Sequence, residues 1–87
     1  MHEASLIDAL VRRIESVARA EGAGRVVSVS VWLGALSHFS KAHFAEHFEE
    51  ATRGTIAEGA RLDVTLSEDL DHPDAQHVRL EGVEVVA

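Results

Sequence analysis

The chain is 87 residues long and sets 8 Lys+Arg against 15 Asp+Glu, a formal charge of −7 with histidines neutral. That length holds one small domain, because two would each be too short to bury a core. The acidic balance excludes the basic footprint that nucleic acid or an anionic membrane demands, and the absence of cysteine removes disulfides, thiolate nucleophiles and Cys-type zinc sites.

Ser5 to about Glu21 reads as a helix. Ser5 with Asp8 resembles a capping box. Leu6, Ile7, Leu10, Val11, Ile14, Val17 and Ala18 recur at helical spacing and make one wide apolar face, and Gly22 and Gly24 supply the stop. Arg25 to Leu33 reads as a strand, with the odd-numbered Val27, Val29, Val31 and Leu33 expected in the core and Trp32 on the opposite face. After a loop from Gly34 to Phe39, Ser40 or Ser37 caps a second helix that runs to about Arg53 and stops at Gly54. Phe44, Phe48 and Ala51 form its stripe. Thr55 to Ala60 is a connector. Arg61 to Leu66 is a second strand with Leu62, Val64 and Leu66 inward.

Ser67 to Gln76 is acidic and polar, a loop by composition. His77 to Val86 is a third strand. Val78 and Leu80 share one phase while Val83 and Val85 share the other, so a β-bulge is expected at Gly82. The order helix-strand-helix-strand-strand implies an α+β fold, two helices packed on one face of a three-stranded sheet. The last two strands are expected to pair as a hairpin. No apolar run approaches the roughly 20 residues of a membrane helix. The opening residues carry no basic segment of the secretory type, so a cytoplasmic location is expected.

Six histidines direct the search for chemistry toward metals and protons. At the start of the chain, the Met1 amine, the His2 backbone nitrogen and the His2 imidazole can chelate one ion. Glu3 adds a carboxylate or a further backbone nitrogen. A deprotonated amide among the ligands favours square-planar Ni(II) or Cu(II) over tetrahedral zinc. Against this stands the plain reading of His2 as an incidental residue.

His43 and His47 are four apart and share a helix face beside Glu46 and Glu50. They make a candidate secondary metal site together with the loop residue His38. The plainer reading has the pair bordering the Phe44/Phe48 stripe and His38 as an ordinary loop residue. The pattern is not HExxH, and it places no general base. His72 and His77, with Asp69, Asp71 and Asp74, read better as a solvated turn than as a cation site. No nucleophile elbow and no phosphate loop is present, so the chain reads as a binding protein rather than an enzyme.

Three segments, in order and in register, resemble the HypA/HybF family of hydrogenase maturation factors. They are Met1-His2-Glu3-Ala4-Ser5-Leu6, then Val31-Trp32-Leu33-Gly34-Ala35-Leu36-Ser37, and then Thr52-Arg53-Gly54-Thr55-Ile56-Ala57-Glu58-Gly59-Ala60-Arg61-Leu62. The resemblance implies a nickel metallochaperone holding Ni(II) at Met1, His2 and Glu3. It would serve the precursor of the [NiFe]-hydrogenase large subunit, or in some organisms urease, alongside a HypB-type GTPase. The family carries a zinc domain with two CxxC pairs between its last two strands. Here Ser67 to Gln76 stands in that place, so residues 1–87 are expected to form a single nickel-binding domain without structural zinc. Some members have an acidic nickel ligand where this sequence has Ser40. The competing reading is a non-metal interaction module or scaffold in hydrogenase assembly, with Trp32 as its contact residue. A strand-swapped homodimer is compatible with either reading.

Overall fold

In the computed structural model, which describes residues 2–86 and the side chains of residues 5–86, five elements follow in the expected order. They are α1 (His2–Ala20), β1 (Arg25–Leu33), α2 (Lys41–Thr52), β2 (Arg61–Leu66) and β3 (Val78–Val86). The fold is α+β, with both helices on one face of a three-stranded mixed sheet.

α1 is amphipathic. Ile7, Leu10, Val11, Ile14 and Ala18 are buried, whereas Leu6 and Val17 are exposed. The apolar face is wider than its contact with α2 and β3, so the margin that carries Leu6 and Val17 faces water. The helix already begins at His2, so Ser5 lies within it and is not its N-cap. At the other end Gly22 adopts φ +68°, and two bonds close a Schellman motif: Ala23 N–H to the Ala18 carbonyl at 2.9 Å and Gly22 N–H to the Arg19 carbonyl at 3.0 Å.

The sheet order is β2-β1-β3. β1 runs parallel to β2, with α2 as the crossover, and antiparallel to β3. The expected β2–β3 hairpin therefore does not form. The 67–77 connection is too long for a tight turn and passes the end of β1 instead. There Ser67 N–H bonds the Leu33 carbonyl at 2.9 Å, and Gly34 N–H bonds the His77 carbonyl at 2.9 Å. β1 takes the centre because its inward side chains, Val26, Val29, Val31 and Leu33, are the most completely buried of the sheet.

Two bulges set the phases. Val26 pairs with Val85 and Ser28 with Glu84, which leaves Val27 as an extra residue. Val27, expected in the core, is consequently turned outward at 39% exposure, and Val26 is buried in its stead. On β3, Ser30 pairs with Gly82 and Val31 with Leu80, leaving Glu81 extra. This is the bulge expected at Gly82, and it lets Leu80, Val83 and Val85 all pack against the core. Leu66, expected inward, is 38% exposed because it ends an edge strand.

α2 is capped by Ser40, whose hydroxyl accepts the His43 N–H at 3.1 Å. Phe39, Phe44 and Phe48 form an aromatic row beneath it, with centroids 5.2 and 6.2 Å apart. The segment after α2 is wired by its own side chains. Thr52 donates to the Phe48 carbonyl at 2.9 Å and Thr55 to the Thr52 carbonyl at 2.7 Å, while Glu58 accepts from Gly54 N–H at 3.2 Å. The Ile56 carbonyl then accepts Val26 N–H at 2.9 Å, which ties this turn to β1.

The tightest approach lies at Gly34. A Cβ there would stand 2.2 Å from the Ala75 carbonyl oxygen and 2.5 Å from its carbon. Backbone cannot yield as a flexible side chain would, so Gly34→Ala is expected to destabilise the fold by about 2–3 kcal/mol. The midpoint of urea unfolding measures this, and an unchanged midpoint would show that the 67–77 connection is not docked on β1.

Candidate metal centre

The N-terminal candidate is built from consecutive residues at the head of α1. His2 opens the helix. Met1, and the side chains of His2 and Glu3, lie outside what the structure describes.

The second candidate sits on α2, where helical spacing brings His43 and His47 together. Their Nε2 atoms are 3.1 Å apart, with ring centroids at 4.6 Å and planes at 70°. His43 is exposed. His47 is half-buried and lines a groove between the two helices with Ile7, Asp8, Glu50 and Ala51. Among the described residues, no three His, Asp or Glu side chains cluster closely enough to hold an ion. His38 therefore does not join the pair. It lies exposed in the loop before α2, in the left-handed region at φ 68°. Ser40 uses its hydroxyl as the helix cap. An aspartate caps a helix equally well, so Ser in place of an acidic residue keeps the cap and removes the charge.

Trp32 lies on the face of the sheet opposite the helices, half-buried rather than free. The guanidinium of its cross-strand partner Arg79 sits 4.3 Å from the indole centroid, and His72 packs on the same indole at 4.8 Å. Arg79 also reaches Asp74 at 3.1 Å and Glu81 at 3.5 Å. His72 is fixed in turn, its Nδ1 accepting Asp74 N–H at 2.9 Å. The acidic loop is thus organised by local turn bonds, with Asp69 N–H to Ser67 Oγ at 3.1 Å and Asp71 N–H to Asp69 Oδ1 at 3.0 Å. Nothing in the local sequence around His72 and Arg79 marks them as partners of Trp32. The one signal was the register that the Gly82 bulge imposes, which puts Arg79 opposite Trp32.

The HypA family profile, described as hydrogenase/urease nickel incorporation metallochaperone, matches residues 1–70. The chain belongs to the HypA family. Hydrogenase maturation factor HypA of Methylocella silvestris is 44% identical over 66 residues, covering 76% of this chain and 58% of that protein. Its counterpart in Pyrococcus furiosus is 47% identical over 62 residues, covering 71% and 45%. The chain thus spans about half the length of these relatives. The solution structure of the Ni metallochaperone HypA from Helicobacter pylori is similar in fold, with a TM-score of 0.82 at 20% identity, covering 98% of this chain and 97% of that one. A second HypA solution structure gives 0.77 at 22% identity, covering 99% and 97%. The fold likeness extends through β3, whereas the family profile ends at Leu70. His43, His47 and Trp32 all fall within the matched segment, and His72 and Arg79 fall beyond it.

Trp32 is the chain's single tryptophan, so its fluorescence reports this stack alone. Arg79→Ala removes the cation over the ring and is expected to red-shift the emission and cost about 1 kcal/mol. An unshifted emission maximum in R79A would show the indole environment to be independent of Arg79.

Proposed function

We propose that this chain is a nickel-binding accessory protein for [NiFe]-hydrogenase maturation that holds Ni(II), its cargo, at Met1, His2 and Glu3. The observation that carries the reading is the Met1-His2-Glu3 opening in a chain of the HypA family. The start of α1 at His2 supports it physically. The first amides of a helix have no intrahelical acceptor, so the His2 nitrogen is free to lose its proton to a metal. The positive end of α1 repels the cation itself but stabilises that anionic nitrogen. With the Met1 amine and the His2 imidazole, the nitrogen then forms fused chelate rings suited to square-planar Ni(II). The protein binds and releases the ion and transforms no substrate.

In this reading residues 1–87 act as one domain, and the 67–76 loop stands where the family carries its zinc domain. These 87 residues hold no thiolate for structural zinc. The ion passes to a hydrogenase large-subunit precursor, with a HypB-type GTPase as co-worker, in the cytoplasm. No helix among the described residues is long and apolar enough to cross a membrane. The competing scaffold reading uses Trp32 as its contact, and that contact requires Arg79 and His72 to leave the indole first.

Calorimetric titration with Ni(II) tests the proposal on protein with a native N-terminus and on protein extended before Met1 by several residues, none of them histidine, so that no amine lies within chelating reach of His2. The native form is expected to take up one more Ni(II) per chain than the extended form, at micromolar affinity or better, and His2→Ala is expected to abolish that difference. Equal uptake by the two forms sinks the reading.

A further inference from the structure

We propose that His43 and His47 form a second divalent-metal site, a two-imidazole chelate on α2 at the mouth of the groove to α1, that takes a late first-row transition ion and completes its coordination with water. This inference is independent of the N-terminal site.

The geometry is already close to that of a chelate. Two metal–nitrogen bonds of about 2.0–2.1 Å, meeting at an angle near 100°, place their nitrogens about 3.1 Å apart. The two Nε2 atoms stand at 3.1 Å. The ring centroids lie farther apart than the nitrogens, at 4.6 Å, so both rings turn their Nε2 edges toward one spot. Without metal, one Nε2–H donates to the other Nε2. On binding, that proton is relocated through solvent to the Nδ1 of the same ring. Both Nε2 lone pairs then face the ion.

The scaffold holds this arrangement in place. His43 is in the first turn of α2, and its own amide is pinned by the Ser40 cap. His47 is wedged in the groove between the helices beside Ile7 and Ala51. The local field is negative. Glu46 and Glu50 each follow one of the histidines by three residues, Asp8 and Glu50 line the His47 groove, and the last turn of α2 carries no basic residue. Glu46 and Glu50 are also a like-charge pair at i,i+4, which destabilises a helix, and a cation between these turns offsets that repulsion. Imidazole ligands select nickel, copper or zinc over magnesium or calcium. With two protein ligands and no third within reach among the described residues, the remaining positions stay open to exchange.

The test uses the full chain extended before Met1 by several residues, none of them histidine, which carries the amine out of chelating reach of His2, and Ni(II) alone as the probe. Sub-stoichiometric Ni(II) is expected to broaden the ring-proton NMR signals of His43 and His47 ahead of those of His38, His72 and His77. His43→Gln and His47→Gln are each expected to weaken binding by about tenfold or more, the order of loss when a chelate falls to one ligand. H38Q is expected to leave it unchanged. His43 and His38 are exposed and His47 is half-buried, and far-UV circular dichroism verifies that the helix survives the substitutions. Failure of the extended chain to bind, equal affinity in H43Q or H47Q, or first broadening at another histidine overturns the proposal. Loss of the N-terminal site would appear instead as equal uptake by native and extended chains, so the two failures are separable.

Discussion

β1 is the strand on which everything else depends. Val26, Val29, Val31 and Leu33 are essentially inaccessible to water on its inner side, and each such burial contributes roughly 1.5–3 kcal/mol. A strand buried this thoroughly must also satisfy its backbone on both edges, since an unpaired buried amide or carbonyl is costly. β2 on one side and β3 on the other do this. The helices cover the apolar face, and the turn after α2 reaches back to bond Val26. The two bulges belong to the same constraint. Val27 and Glu81 are the residues left over so that Val26, Val29, Val31 and Leu33 of β1 and Val78, Leu80, Val83 and Val85 of β3 can pack inward.

The far end of β1 determines what the short 67–77 connection can be. It has to pass over the strand terminus to reach the opposite edge of the sheet. It does so close against Gly34, with Ala75 buried and Leu36 N–H bonded to the Ala75 carbonyl at 2.7 Å. Its return brings His72 and Arg79 onto Trp32, which closes the open face of the sheet at that corner. The third family-like segment has a comparable structural purpose. Thr52, Thr55 and Glu58 hydrogen-bond the turn between α2 and β2. Much of what makes the chain recognisable therefore serves the fold and not the metal.

The two metal readings differ in how much structure they need. An N-terminal chelate uses neighbouring atoms of one stretch of chain, so its donor set is visible in the first three residues without any tertiary context. The His43–His47 pair needs only a helix, since a spacing of four puts two rings on one face. What the spacing cannot supply is the 3.1 Å separation of the nitrogens, which depends on the rotamers each ring adopts at its place on α2.

Legible in the sequence are the elements, their order, the stops at Gly22 and Gly54 and the bulge near Gly82, along with a cap for α2 at Ser37 or Ser40, of which the structure uses Ser40. Each of these is encoded by local periodicity or by backbone chemistry over a few residues. The sequence also carries the family, through three segments held in register. Long-range packing puts β1 between β2 and β3, turns Val27, Leu66, Leu6 and Val17 outward, and leaves Ser5 inside a helix rather than before one. It alone brings His72 and Arg79 to Trp32. The physical reason is that periodicity says which side of an element is apolar. It does not say which distant strand will pair with it, where one extra residue will shift the phase, or how wide a face the neighbouring elements will cover.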